Sequence, residues 1–104
     1  MGTYTNLKAE QFLNTFNNTD NAQIIDVRTE REFKEKHIEG AVNIPGTEKA
    51  RLLNLDKNKI YFLHCRVGGR SAMAAHTMAT NGYTVYNLND NIEEVLRTTE
   101  AKAI

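Results

Sequence analysis

His64-Cys65-Arg66-Val67-Gly68-Gly69-Arg70-Ser71, preceded by Ile60-Tyr61-Phe62-Leu63, is the stretch that decides the fold. The four apolar and aromatic residues read as a short buried strand, and the small-residue segment from Ser71 to Asn81 reads as a helix. The loop therefore joins a strand end to a helix start. Backbone N–H groups of a glycine-containing turn, with the free N–H groups and positive dipole end of the next helix, stabilise negative charge in the turn's concavity. Cys65, the only cysteine of the chain, falls at its centre. In such an electropositive, partly exposed position a cysteine is expected to have a lowered pKa and to be present as thiolate, the form that acts as nucleophile. Arg66 and Arg70 add positive charge, and Ser71 is expected to cap the helix, with a hydrogen bond to the sulfur as a second role.

Outward from this loop, strand and helix patterns alternate. Tyr4-Thr5-Asn6 reads as a first strand, and Ala9 to Phe16 as a helix with Phe12, Leu13 and Phe16 at helical spacing. Ala22 to Val27 reads as a buried strand containing Asp26. Thr29 then caps a short helix, with Glu32 three residues later completing a capping box. His37-Ile38-Glu39-Gly40 is a turn into a brief edge strand, Ala41 to Ile44, stopped by Pro45-Gly46. Glu48 to Leu55 predicts a helix covering the core with Ala50, Leu52, Leu53 and Leu55. The helix after the loop ends at Asn81-Gly82, and its Ala72, Ala74, Ala75 and Ala79 allow close approach to a sheet. Tyr83 to Leu88 is a further strand, and Ile92, Val95 and Leu96 mark the apolar face of a last helix before a polar tail. This order predicts an α/β fold, a small parallel sheet of about five strands with helices on both faces, in which ligands bind at the carboxyl ends of strands.

Composition narrows the function. The 104 residues suffice for one domain, 1–104, with one core. Lys and Arg number 13, as do Asp and Glu, so no global field draws the chain to nucleic acid or to an anionic membrane. There is no membrane-span-length apolar run and no signal-peptide pattern at the start, which predicts a cytoplasmic protein. One cysteine makes no internal disulfide, and no Cys/His spacing builds a metal site, so neither metal nor cofactor is expected.

Three blocks together resemble the single-domain rhodaneses, a sulfurtransferase family, over Tyr4 to Leu96. They are Ile25-Asp26-Val27-Arg28 with Glu32-Phe33, then His37 to Pro45, then the loop from His64 to Ser71 followed by Ala72. The resemblance implies a rhodanese-like fold in which Cys65 carries a persulfide and Arg66, Val67, Gly68, Gly69 and Arg70 complete a cradle around it. Three positions depart from the common family pattern: Asp90-Asn91 stands where a Gly-Gly pair is frequent, Val95 where an aromatic follows, and Lys36 where glycine precedes the histidine. Asp and Asn tolerate left-handed backbone better than most residues, which preserves the Asp90-Asn91 turn.

The implied activity is that of a thiosulfate sulfurtransferase. Cys65 attacks the outer sulfur of thiosulfate or a related persulfide donor, sulfite leaves, and a thiol or cyanide takes the sulfur from the cysteine persulfide. Arg66 and Arg70 attract the small anionic donor. With no second cysteine, an external thiol or a sulfur-acceptor protein must complete the cycle. Two alternatives stand beside this reading. A catalytically silent rhodanese-like module would bind a partner protein with the same fold, although it has no need of a thiolate at a helix start. A cysteine phosphatase or arsenate reductase also uses His-Cys, a glycine-containing loop, Arg and Ser. Its loop is one residue longer than the Arg66-Val67-Gly68-Gly69 that separates Cys65 from Arg70 here, and a shorter ring of N–H donors suits one added sulfur better than a tetrahedral oxyanion.

Other polar residues have plainer readings. Asp26 and Arg28, at another strand end, support the site as an ion pair that fixes its loop. His64 is read as structural and His37 as holding the turn before Ala41. His76 is expected to face solvent, and the charged residues from Glu30 to Glu39 to form a solvated helix face. Phe12, Phe16, Phe33 and Phe62 are core candidates.

Overall fold

The computed structural model describes residues 2–98. The strands are β1 (Thr5–Leu7), β2 (Ala22–Asp26), β3 (Val42–Asn43), β4 (Ile60–His64) and β5 (Thr84–Leu88); the helices are α1 (Ala9–Asn17), α2 (Glu30–Glu35), α3 (Lys49–Leu52), α4 (Gly69–Thr80) and α5 (Ile92–Thr98). The described residues form a five-stranded sheet in the order β1-β5-β4-β2-β3, parallel at every pairing. A helix lies between each strand and the next in the chain, as parallel neighbours require, because the chain must return to the starting end before the next strand begins.

Side-chain alternation along the strands divides the core in two. Ile25, Val27, Tyr61, Leu63, Cys65 and Val85 pack with Leu52 of α3 and with Ala74, Ala75 and Met78 of α4. Ile24, Phe62 and Leu88 pack with Phe12 and Leu13 of α1 and with Ile92, Val95 and Leu96 of α5. Phe62 is fully buried, met edge-on by Phe12 and Phe16 at 5.5 and 5.4 Å and stacked by Tyr86 at 4.8 Å between ring centroids. Removing such a ring costs about 3–5 kcal/mol.

Several expectations are corrected. The helix predicted over Glu48 to Leu55 is the single turn of α3, which presents one side chain to the sheet, so Leu52 is buried, Leu55 only partly so, and Ala50 and Leu53 are exposed. Phe33 is not in the core: α2 buries none of its residues, and the Phe33 ring stacks on His37 at 3.8 Å. His37 secures the end of α2, its Nδ1 lying 2.8 Å from the Phe33 carbonyl, rather than the turn before Ala41, which closes through the Ala41 N–H to the Ile38 carbonyl. The turn at Asp90-Asn91 needs no left-handed backbone, since neither residue has positive φ. Side chains hold it instead. Asp90 accepts from the N–H groups of Asn91 and Ala9 at 2.8 and 3.1 Å, and Asn91 accepts from Glu93 N–H at 2.8 Å, capping α5. The polar tail lies outside the described residues. Among those residues no helix is long and apolar enough to cross a membrane.

Candidate active site

The loop after β4 closes around Cys65 Sγ. Helix α4 begins at Gly69, two residues before the sequence pattern predicts, so Gly68 and not Ser71 occupies the N-cap position. Gly68 has φ of 109°, and a Cβ there would lie 3.0 Å from the Leu88 carbonyl oxygen and 3.4 Å from Asn89 Cα. Both conformation and space therefore demand glycine. The early start puts Ser71 inside the first helical turn, where its N–H is one of the donors a helix leaves unused. Cys65 Sγ accepts from Gly68 N–H at 3.1 Å and from the Ser71 N–H and hydroxyl at 3.4 Å each. The Ser71 hydroxyl also lies 3.3 Å from the Gly68 carbonyl. Its one proton goes to the stronger acceptor, and an ionised sulfur is that acceptor.

Cys65 is buried, only 1% exposed, rather than partly exposed, because the loop folds over its own cysteine while Val67 and Arg66 turn outward. Burial by itself pushes the thiol pKa up. The Ser71 hydroxyl and the N–H groups of Ser71, Gly68 and Val67 outweigh it, and the net shift is downward. The N-terminal end of the twelve-residue α4 adds its positive dipole at the same point.

The two loop arginines are not free cations in solvent. Arg70 Nη1 lies 2.8 Å from Glu32 Oε1 and its Nη2 lies 3.2 Å from Oε2, while Arg66 Nη2 lies 3.5 Å from Oε2. Glu32 thus leaves the solvated face expected for residues 30–39, and its side chain is 18% exposed. Its Oε1 also accepts from the N–H and hydroxyl of Thr29 at 3.0 and 3.1 Å, and Thr29 Oγ1 accepts from Glu32 N–H at 3.2 Å. The predicted capping box therefore forms, and the same carboxylate closes it and binds the loop. The Arg70 guanidinium, foremost, holds the Glu32 carboxyl well below the usual carboxylate range. Glu32 was missed as a site residue because a capping box accounts for it locally. The signal that could have found it is two arginines beside a thiolate in a chain with no net charge.

Asp26 and Arg28 form the expected architectural pair. Arg28 Nε donates to both carboxylate oxygens at 2.9 and 3.0 Å and Nη2 to Oδ2 at 2.7 Å, with neither residue more than 7% exposed. Arg28 Nη2 also reaches the Lys36 carbonyl at 2.7 Å, so the pair ties β2 to the end of α2 and thereby sets where Glu32 stands. His64 is fully buried with Nε2 3.8 Å from Asp26 Oδ2, and burial pushes its pKa down. Its side chain lies on the opposite side of β4 from that of Cys65. Beside Arg70 an apolar groove of about 610 Å³ follows α4 past exposed Met73 and His76 to Tyr4. A smaller polar cleft of about 180 Å³ lies between Arg66, Glu32 and Asn91.

The central strand of a parallel α/β sheet thus delivers a hydrogen-bonded cysteine to a helix start. The chain belongs to the rhodanese-like domain family, whose model matches residues 8–98. It is similar to the uncharacterized protein YqhL of Bacillus subtilis, 41% identical over 75 residues, covering 70% of this chain and 60% of that protein. It is 36% identical over 63 residues to the thiosulfate sulfurtransferase PspE of Escherichia coli, covering 58% of this chain and 61% of that protein. The chain thus spans about three fifths of the length of each of these relatives. Among solved structures, a rhodanese-like domain protein from Staphylococcus aureus superposes with a TM-score of 0.77 at 28% identity, over 88% of this chain and 90% of that one.

Proposed function

We propose that the chain is a sulfurtransferase that carries sulfane sulfur as a persulfide on Cys65, taking it from thiosulfate or a related persulfide donor and giving it to a thiol or cyanide. The observation that carries this reading is the set of three donors, Gly68 N–H, Ser71 N–H and Ser71 hydroxyl, converging on Sγ. The thiolate attacks the outer sulfur of thiosulfate, a new S–S bond forms, and the donor's S–S bond breaks with its electron pair leaving on sulfite. The terminal sulfur of the persulfide then lies in the cradle formed by residues 66–70, where backbone N–H groups stabilise its charge. An acceptor thiolate attacks that terminal sulfur and Cys65 leaves as thiolate. No second cysteine is present, so the acceptor is an external small thiol or protein thiol. The name of PspE supports thiosulfate as a donor.

Intact mass after brief incubation of reduced protein with thiosulfate tests this. A gain of one sulfur atom, lost to cyanide as thiocyanate and absent in Cys65→Ser, is expected. No gain overturns the reading, and an aryl phosphate, arsenate and a partner search on the same sample then test the phosphatase, arsenate reductase and binding-module alternatives.

A further inference from the structure

The site's charge is set by a residue outside its loop. Arg66 and Arg70 bring two positive charges to the mouth, and the thiolate and the Glu32 carboxylate bring two negative ones. Glu32 engages Arg70 with both oxygens and Arg66 with one. Its Oε1 also accepts from the backbone N–H of Thr29, a bond that does not depend on the Thr29 side chain, so the carboxylate is fixed between α2 and Arg70. A doubly charged donor approaching Cys65 meets this fixed negative charge, and each unit of donor charge meets it once.

We propose that Glu32 is the specificity-determining residue that sets the site's discrimination between doubly and singly charged sulfur donors, holding the arginines in position while offsetting part of their attraction. This rests on the sulfurtransferase reading above. Thiosulfate and methanethiosulfonate separate charge from chemistry. In both, Cys65 attacks the outer sulfur and one S–S bond forms while one breaks. The electron pair leaves on sulfite from the dianion and on methanesulfinate from the monoanion. At about 6 Å in a solvent-like dielectric, one unit charge changes encounter with a dianion by roughly tenfold and with a monoanion by roughly threefold. The wild-type site therefore favours the singly charged donor by about threefold relative to the same loop without the carboxylate.

The test compares kcat/KM for the two donors in wild type, Glu32→Gln and Thr29→Ala. Glutamine at this position retains the capping geometry while removing the charge. In E32Q the thiosulfate-to-methanethiosulfonate ratio is expected to rise about threefold, the rise shrinking as added salt screens the mouth. T29A breaks the cap, keeps the charge, and is expected to leave the ratio where wild type has it. An unchanged ratio in E32Q, or an equal change in T29A, overturns the proposal, as does a rise that salt does not reduce. Should E32Q melt below the assay temperature, Glu32→Asp, which keeps the charge, is expected to hold the wild-type ratio, and a ratio raised threefold there would overturn it. Failure of the wider reading looks different: wild type then gains no sulfur from either donor.

Discussion

The carboxylate of Glu32 lies 2.8 Å from the Arg70 guanidinium, although 38 positions separate them in the chain. Through this contact the start of α2 and the cysteine loop after β4 share one charge network, and neither is fully described without the other.

Arg70→Ala removes the cation that engages Glu32 in two bonds and leaves the carboxylate facing the donor. KM for thiosulfate is expected to rise about tenfold. The ion pair is half exposed on the arginine side, so its loss is expected to cost no more than about 1 kcal/mol of stability. A kinetic series beside a melting curve checks both, and a large fall in melting temperature without a change in KM would assign Arg70 to architecture alone.

Ser71→Ala deletes the side-chain donor to Sγ and leaves the Ser71 amide in place. Because these hydrogen bonds favour the thiolate, their loss raises the Cys65 pKa, and the rising limb of the pH–reactivity profile moves to higher pH. At neutral pH, alkylation by iodoacetamide is expected to slow by about tenfold and to recover as the solution is made more alkaline. A profile that does not move would mean that the amides and the helix dipole suffice.

Gly68 and Gly69 are adjacent and alike in sequence yet are expected to respond oppositely to alanine. At Gly68 the backbone is left-handed and a Cβ meets the β5 end, so Gly68→Ala is expected to cost about 1–3 kcal/mol and to slow sulfur loading. At Gly69 nothing lies within 4 Å of an added Cβ, and α4 begins there, so Gly69→Ala is expected to be neutral or stabilising by up to about 1 kcal/mol. Urea unfolding of the two variants decides it, and equal destabilisation would contradict the loop geometry.

Asp26→Asn strands a buried guanidinium and is expected to cost about 3–5 kcal/mol. Sulfur loading per folded molecule is expected to fall far less than stability, since the pair touches neither Sγ nor the loop arginines and reaches the site only through the placement of Glu32. A stable variant with impaired loading would instead make Asp26 part of the chemistry.

The parallel sheet, its two-sided cover and the cysteine loop were legible because they rest on local patterns: short apolar runs, alternating strand and helix segments, and glycines beside a lone thiol. What escaped was set by tertiary packing. Helix α4 starts at Gly69 because Gly68, left-handed and pressed against the β5 end, takes the N-cap position, which leaves Ser71 the expected hydrogen bond to the sulfur without the capping role. Phe33 reads as core from its type but stacks on His37, since α2 lies at the rim. Glu32 is fully explained by its own helix, and the local pattern of α2 does not show that Arg70 arrives from the first turn of α4.

The pairing of β1 with β5, in which Thr5 meets Tyr86, has a consequence for biosynthesis. During synthesis β1 finds its sheet partner only when residues 84–88 have followed. Until then the β2-β4 half of the sheet can assemble with an unclosed edge, and α1 can cover Phe62 of β4 but lacks its contacts with β5 and α5. Among the described residues every strand pairing is parallel and joins segments separated by an intervening helix, which predicts slow folding for a domain of this size. The sheet closes in a late step, when β1 meets β5.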